Sequence, residues 1–348
     1  MLKYIELKDF TVFGDPTLMF GENINVFVGA NGMGKTHALK LAYCITGILS
    51  RAIRDSSPTK AYLQPEIARK LNAVFKPDHL GRLARRKRPG RQRSEVGCHF
   101  FEPNNDTGFS FNTSSKSEVS VDQVPKSWVD KVPVYLPTRE LLSIYPGFVS
   151  LYDNTYLEFE ETWRDTCSLL GAPLARGPRE GEIRKLLVPL EEAMNGTVVL
   201  DNGRFYLNVK GVPTEMHLVA EGLRKLAMIA RLIATGSLVG RGYLFWDEPE
   251  ANLNPKITKL IARTILHLSR SGIQIFIATH SLFLLREIDI LLQSHEFKTL
   301  RSRFFGLHPH DDGVTVTQGD TIDDIGEIDA LQEELTQSER YLAEEPVR

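Results

Sequence analysis

The chain has 348 residues, with 42 Lys and Arg against 44 Asp and Glu, for a formal net charge of −2. So even a balance excludes a protein drawn to nucleic acid or a membrane surface by its overall field. No apolar run nears the ~20 residues that a bilayer crossing requires. The three cysteines, Cys44, Cys98 and Cys167, lie far apart without a CxxC pair, which excludes a disulfide framework and a structural zinc site and suits a reducing compartment. A soluble, cytoplasmic protein is expected.

The N-terminus goes straight into strand-like Leu2 to Leu7, and a second strand follows near Thr17 to Phe20. Ile24 to Val28 is a short apolar run bounded by polar residues, the pattern of a buried strand. It leads into Gly29-Ala30-Asn31-Gly32-Met33-Gly34-Lys35-Thr36, after which Ala38, Leu39, Leu41, Ala42 and Ile45 recur at helical spacing. A strand feeding a glycine-rich turn that opens a helix aims backbone N–H groups and the positive helix end at one point, which suits phosphate. Lys35 then supplies a point charge to the β- and γ-phosphates, and the Thr36 hydroxyl is placed to ligate Mg²⁺. Gly29 to His37 are the expected nucleotide-binding residues, and ATP with Mg²⁺ the expected cofactor.

A helix is expected near Gln64 to Phe75. From Lys76 to Arg93 the chain carries Lys76, Arg82, Arg85, Arg86, Lys87, Arg88, Arg91 and Arg93, opposed only by Asp78. Such a segment is either a solvated loop or a surface for nucleic acid or an acidic protein; without interleaved aromatic residues it is poorly suited to stacking on single strands. Val96 to Phe101 and Val132 to Leu136 read as strands. In the turn after the second, either Glu140 or Thr138 is placed to face the metal. Helices are expected near Leu157 to Leu170 and Glu180 to Met194, and Val198 to Leu207 reads as a hairpin turning on Asn202-Gly203.

Leu226, Met228, Ile229, Leu232 and Ile233 mark a helix that Gly222 nearly opens, again with N–H groups available to an anion. The strand Tyr243 to Trp246 ends in Asp247, where a carboxylate holds Mg²⁺, and Glu248 is placed to orient or deprotonate an attacking water. The last buried strand, Ile273 to Ala278, runs into Thr279-His280-Ser281. It is expected beside the P-loop strand, with His280 in reach of the γ-phosphate or the water. Strands near Arg303 to Leu307 and Val314 to Thr317 precede an acidic C-terminal helix or tail over 319–348, which is either solvated or a docking element.

P-loop, glycine-led helix, Asp-Glu strand and a strand ending in His, in that order, resemble the ATP-binding-cassette (ABC) class of ATPase heads, which includes SMC, RecF and OLD-type proteins. The resemblance implies that Val219 to Leu223 is the signature segment and that Gly222 completes the nucleotide site of a second copy. It also implies that Asp247 and Glu248 are the Walker B pair with its catalytic glutamate, Ala251 to Pro255 the D-loop, and His280 the switch histidine. Lys35, Glu248 and His280 are thus the expected catalytic residues, and Thr36 and Asp247 the metal ligands. The wording Asp247-Glu248-Pro249-Glu250…Leu253-Asn254-Pro255 is similar to stand-alone AAA/OLD-type ATPases of bacterial antiphage systems, such as the PtuA and AriA subunits. Ala220 stands where the class has a signature serine. Either Gly222, with Arg224 or Lys225, makes the contact across the dimer, or turnover is slow.

This resemblance implies an α/β P-loop fold with a nucleotide-binding lobe from 1–55 and 238–318, including the two N-terminal strands. A helical and β lobe is expected as an insertion over 56–237, with its signature helix at 220–236. No heptads persist over the length of a coiled-coil arm, unlike SMC and break-repair proteins. The function implied is a dimerising ATPase switch that controls a separate effector in antiphage defence. The alternative is a RecF-like ATPase that binds duplex DNA through the basic segment.

Overall fold

The computed structural model describes residues 1–50, 57–86, 90–130 and 132–344. Strands β1 (Leu2–Lys8) and β2 (Thr17–Met19) form an antiparallel pair, and β3 (Ile24–Gly29), buried at every position, runs into helix α1 (Lys35–Ser50). Helix α2 (Lys60–Phe75) starts at Thr59, whose hydroxyl accepts the Tyr62 N–H, and stops at Lys76, in the left-handed conformation. Strands β4 (Arg93–Phe100), β5 (Thr107–Asn112), β6 (Ser120–Gln123) and β7 (Val134–Leu136) follow, then helices α3 (Phe148–Asn154), α4 (Glu161–Leu170) and α5 (Glu180–Met194).

Strands β8 (Thr197–Asp201), β9 (Arg204–Val209) and β10 (Val212–Glu215) make a small antiparallel sheet. Its first turn is Asn202-Gly203, both residues at positive φ as a tight hairpin requires. The chain continues through α6 (Glu221–Ala234), β11 (Gly242–Asp247), α7 (Pro255–Arg270), β12 (Ile273–Thr279) and α8 (Leu282–Leu292). It closes with β13 (Ser302–His310), β14 (Gly313–Gly319) and the acidic α9 (Asp329–Glu344).

The central sheet has the order β14-β13-β3-β12-β11-β7, parallel except for β14. Both faces of its inner strands are covered, so β3, β12 and β11 are buried along nearly their whole length, whereas the edge strand β14 alternates. Val26, Val28, Leu244, Trp246, Ile275 and Ile277 face a core shared with α4 to α8. Their neighbours Phe27, Phe245, Phe276 and Phe305 face a second core, shared with α1, α2 and the five-stranded antiparallel sheet β2-β1-β4-β5-β6. Gln274 stitches the layers together: its Oε1 accepts the Leu2 N–H at 2.9 Å, and its Nε2 donates to the carbonyls of Leu2 at 2.7 Å and Gly21 at 2.8 Å.

Two expectations about the layers need correction. β1 and β2 do not begin the central sheet; β1 lies between β2 and β4 in the antiparallel one. Conversely β7, within the stretch expected as an insertion, is the edge strand of the central sheet. The described strands between residues 57 and 237 therefore contribute to both sheets. An apolar run announces a strand but not its partner, which is a property of the assembled sheet. The longest helices among the described residues span 16 residues, and none is long and apolar enough to cross a membrane.

Candidate nucleotide site

Three parallel strands end on one level. Asp247 pairs with Ala278, and Ala278 pairs with Phe27, so the turns after β11, β12 and β3 share the C-terminal edge of the sheet. Gly34 sits at φ +90°, and a Cβ there would stand 2.5 Å from the Val12 side chain, so no larger residue fits this turn. Gly29 is constrained differently: its missing Cβ leaves room for the Leu307 carbonyl of β13.

Within this edge the Thr36 hydroxyl donates to Asp247 at 2.9 and 3.1 Å to the two carboxylate oxygens. The Lys35 ammonium folds onto the turn, donating to the carbonyls of Gly29 at 2.7 Å and Ala30 at 3.0 Å. Burial lowers its pKa, opposed by the carboxylates of Glu248, Asp247 and Glu250. Burial likewise pushes the Asp247 carboxyl up to about 6, against the Thr36 hydrogen bond. Glu248 adopts φ +47°, its N–H donating to the Ala278 carbonyl at 2.9 Å, and its Oε1 lies 3.1 Å from His280 Nδ1. Lys35, Thr36, Asp247, Glu248 and His280, some 245 residues apart at the extremes, are thus neighbours around one turn.

Other expected residues lie elsewhere. The His37 ring packs 5.6 Å from Phe75, and burial with the nearby Lys40 drives its pKa down to about 4, so it brings no positive charge to an anion. Gly222 lies against the turn before α7 of its own chain, where a Cβ would meet Leu253, Asn252 and Ile257. Glu140 accepts from the Ser143 hydroxyl at 2.6 Å and pairs with Arg224 at 2.7 Å, and the half-buried Thr138 follows the end of β7.

Arg224 and Lys225 both have partners within the chain. Arg224 is held by Glu140 and by the Val219 carbonyl at 2.8 Å, and Lys225 is fully buried. In the basic segment, Lys76 donates to the Leu157 carbonyl under the rings of Tyr152 and Tyr156, Arg82 pairs with Asp78, and Arg93 pairs with Asp122. Lys87 and Arg88 lie outside the described residues.

Sequence reasoning assigned no role to Glu250. Its Oε1 accepts the Thr279 hydroxyl at 2.6 Å, and burial raises its pKa. Its place in the Asp-Glu-Pro-Glu run was the signal: a second acid so close to a buried strand end needs a partner.

Residues 105–286 match the protein family described as "AAA domain, putative AbiEii toxin, Type IV TA system". The chain belongs to this AAA-domain family. The match takes in the Asp-Glu strand and His280 but begins after the P-loop. No curated protein matches the sequence. Among solved structures, an Smc head bound to the C-terminal winged-helix domain of ScpA is 14% identical, with a TM-score of 0.54 over 92% of this chain and 98% of that one. An Smc head with an extended coiled coil, bound to the C-terminal domain of ScpA and derived from Pyrococcus furiosus, is 12% identical, with a TM-score of 0.51 over 98% and 99%. This AAA-family chain therefore has the P-loop NTPase fold of ABC-type ATPase heads.

Proposed function

We propose that the chain is an ATP-operated, dimerising switch that hydrolyses ATP slowly. The supporting observation is the meeting of the Thr36–Asp247 pair and the Glu248–His280 pair on one sheet edge beside Lys35. In this reading Lys35 leaves the Gly29 and Ala30 carbonyls to meet the β- and γ-phosphates. A hydroxyl and a carboxylate already within hydrogen-bond distance fit the oxygen preference of Mg²⁺, so Thr36 and Asp247 would hold it. When bound, that ion supplies charge neutralisation for the phosphate oxygens.

Glu248 accepts the proton of the attacking water as the new O–P bond forms and the bond from the γ-phosphorus to the bridging oxygen breaks, giving ADP and phosphate. His280 fixes the carboxylate through its Nδ1. The N-terminal end of α6, at Gly222, completes the site of a second copy, so ATP bound between two copies favours the dimer by mass action. Ala220 offers no hydroxyl there, which is consistent with slow turnover.

We further propose that this switch is the cytoplasmic regulatory subunit of an antiphage system, acting on a separate effector protein. The Asp-Glu-Pro-Glu wording supports this; the family description itself names a putative toxin of a Type IV TA system. The RecF-like alternative has less support, because Lys76, Arg82 and Arg93 of the basic segment are taken up by intrachain partners. Native mass determination of the chain purified with its neighbouring gene product, with and without ATP–Mg²⁺, tests the assignment. A stable complex supports the regulatory role; a lone ATP-dependent dimer that shifts DNA supports the alternative.

Lys35→Ala removes a charge-assisted contact to phosphate and should weaken ATP binding roughly 10- to 100-fold. Equilibrium titration with a fluorescent ATP analogue measures this. The same variant should abolish protection by a locus that otherwise confers phage resistance, and intact resistance would refute the defence role.

A further inference from the structure

A lysine with no exposed surface sits between the signature helix and the catalytic turn. Lys225, on the first turns of α6, donates from Nζ to the carbonyl of Ala251 at 2.8 Å and that of Glu248 at 3.2 Å. Buried lysines are rare unless paired; among the described residues this one meets carbonyl oxygens and no carboxylate within ion-pair distance. Its two carbonyl acceptors are therefore the informative feature.

Those acceptors belong to a turn in an unfavourable conformation. Glu248 is a non-glycine residue at φ +47°, and Asn252 follows at φ +62°. From the β12 side, the turn is held by the Glu248 N–H on the Ala278 carbonyl and by the Thr279 hydroxyl on Glu250. From the α6 side it is held by Lys225 and by Asn252, whose amide donates to Glu221 Oε1 at 2.9 Å. Gly222 lies against the same turn. The end of α6 that would meet a second copy is therefore linked to the glutamate of its own chain.

We propose that Lys225 is a positioning residue that holds the Glu248 backbone in its left-handed conformation and so couples the placement of α6 to the placement of the Glu248 carboxylate. This rests on the assignment of Glu248 under the proposed function. The geometry implies that displacement of α6 on dimerisation moves Glu248 relative to His280.

The test is a double-mutant cycle on ATP hydrolysis by the full chain, with ATP binding measured alongside. Lys225→Met keeps the length and removes the donors. It should lower kcat roughly 10- to 100-fold with KM for ATP unchanged, and should have almost no further effect on the slow turnover of Glu248→Gln. Lys225→Arg, which keeps a cationic donor, should recover part of the lost kcat. Wild-type kcat in Lys225→Met beside an inactive Glu248→Gln would overturn this proposal alone. So would equal losses from Lys225→Met in both backgrounds, since Lys225 would then act independently of Glu248. Wild-type turnover in Glu248→Gln would instead overturn the assignment of Glu248, and this proposal with it. If Lys225→Met does not fold, Lys225→Leu, which also lacks a donor, carries the same comparison.

Discussion

Glu248→Gln should bind ATP as the wild type does and turn it over roughly 100- to 10 000-fold more slowly. Glutamine keeps the volume and retains an oxygen opposite His280, which stands 3.1 Å away, but it does not take up a proton from water. The backbone of residue 248, pinned through its N–H and its carbonyl, is not altered by the change. With hydrolysis blocked, ATP persists between two copies and the dimer accumulates. Single-turnover hydrolysis, read beside light scattering with and without ATP–Mg²⁺, checks both parts. Turnover at the wild-type rate would remove Glu248 from the proton-accepting role, and a monomer that holds ATP would remove the dimer from the cycle.

Asp247→Asn should stabilise the nucleotide-free protein while impairing Mg²⁺-dependent ATP binding. Burial raises the Asp247 carboxyl from 3.8 to about 6. Because the folded-state value lies above the unfolded one, the folded chain binds more protons between those limits. The ionised carboxylate therefore destabilises the fold above about pH 6. The penalty fades as pH falls through 6 and is gone below about pH 4, where both states are protonated. At pH 7 it amounts to about 2–3 kcal/mol, which an uncharged amide avoids. Thermal melts in EDTA should thus show a higher Tm for the variant at pH 7.5, with the gain shrinking toward pH 4.5. A gain of equal size at both pH values would mean that it does not arise from ionisation. A site that destabilises its own fold until ligand arrives is a common pattern at functional centres.

The elements that carry nucleotide chemistry were the most legible in the sequence. β3, β11 and β12 are continuous apolar runs because the central sheet is covered on both faces, and each ends in residues with a chemical reason to be there. The Asn202-Gly203 turn was equally plain, since few pairs accept two positive φ angles. Helix α7 escaped notice although its signals were present: Asn254 caps it, Pro255 opens it, and Ile257, Ile261 and Ile265 recur at helical spacing.

Other features had no local signal. Nothing in Leu2 to Lys8 says that it pairs with β4 rather than β3, and β5, with Ser110 buried among phenylalanines, lacks a polar face to give alternation. Lys225 reads as a surface residue, because its two acceptors come from a turn more than twenty residues away. Nor does the place of Glu140 after a strand announce its ion pair with Arg224, which comes from the packing of α6.

The position of β3 between β13 and β12 has a consequence for how the chain is made. Both neighbours of the P-loop strand come from the last quarter of the sequence, so no short-range pairing can order it. At about 5–20 residues per second, β12 leaves the ribosome on the order of 12–50 s after β3. Through that interval the apolar run Ile24 to Val28 has no sheet to join, and the Gln274 clamp on Leu2 does not yet exist. Nascent chains arrested before residue 273 should be bound by chaperones and susceptible to protease at their N-terminal third, and nucleotide affinity should emerge only once β13 is free of the exit tunnel.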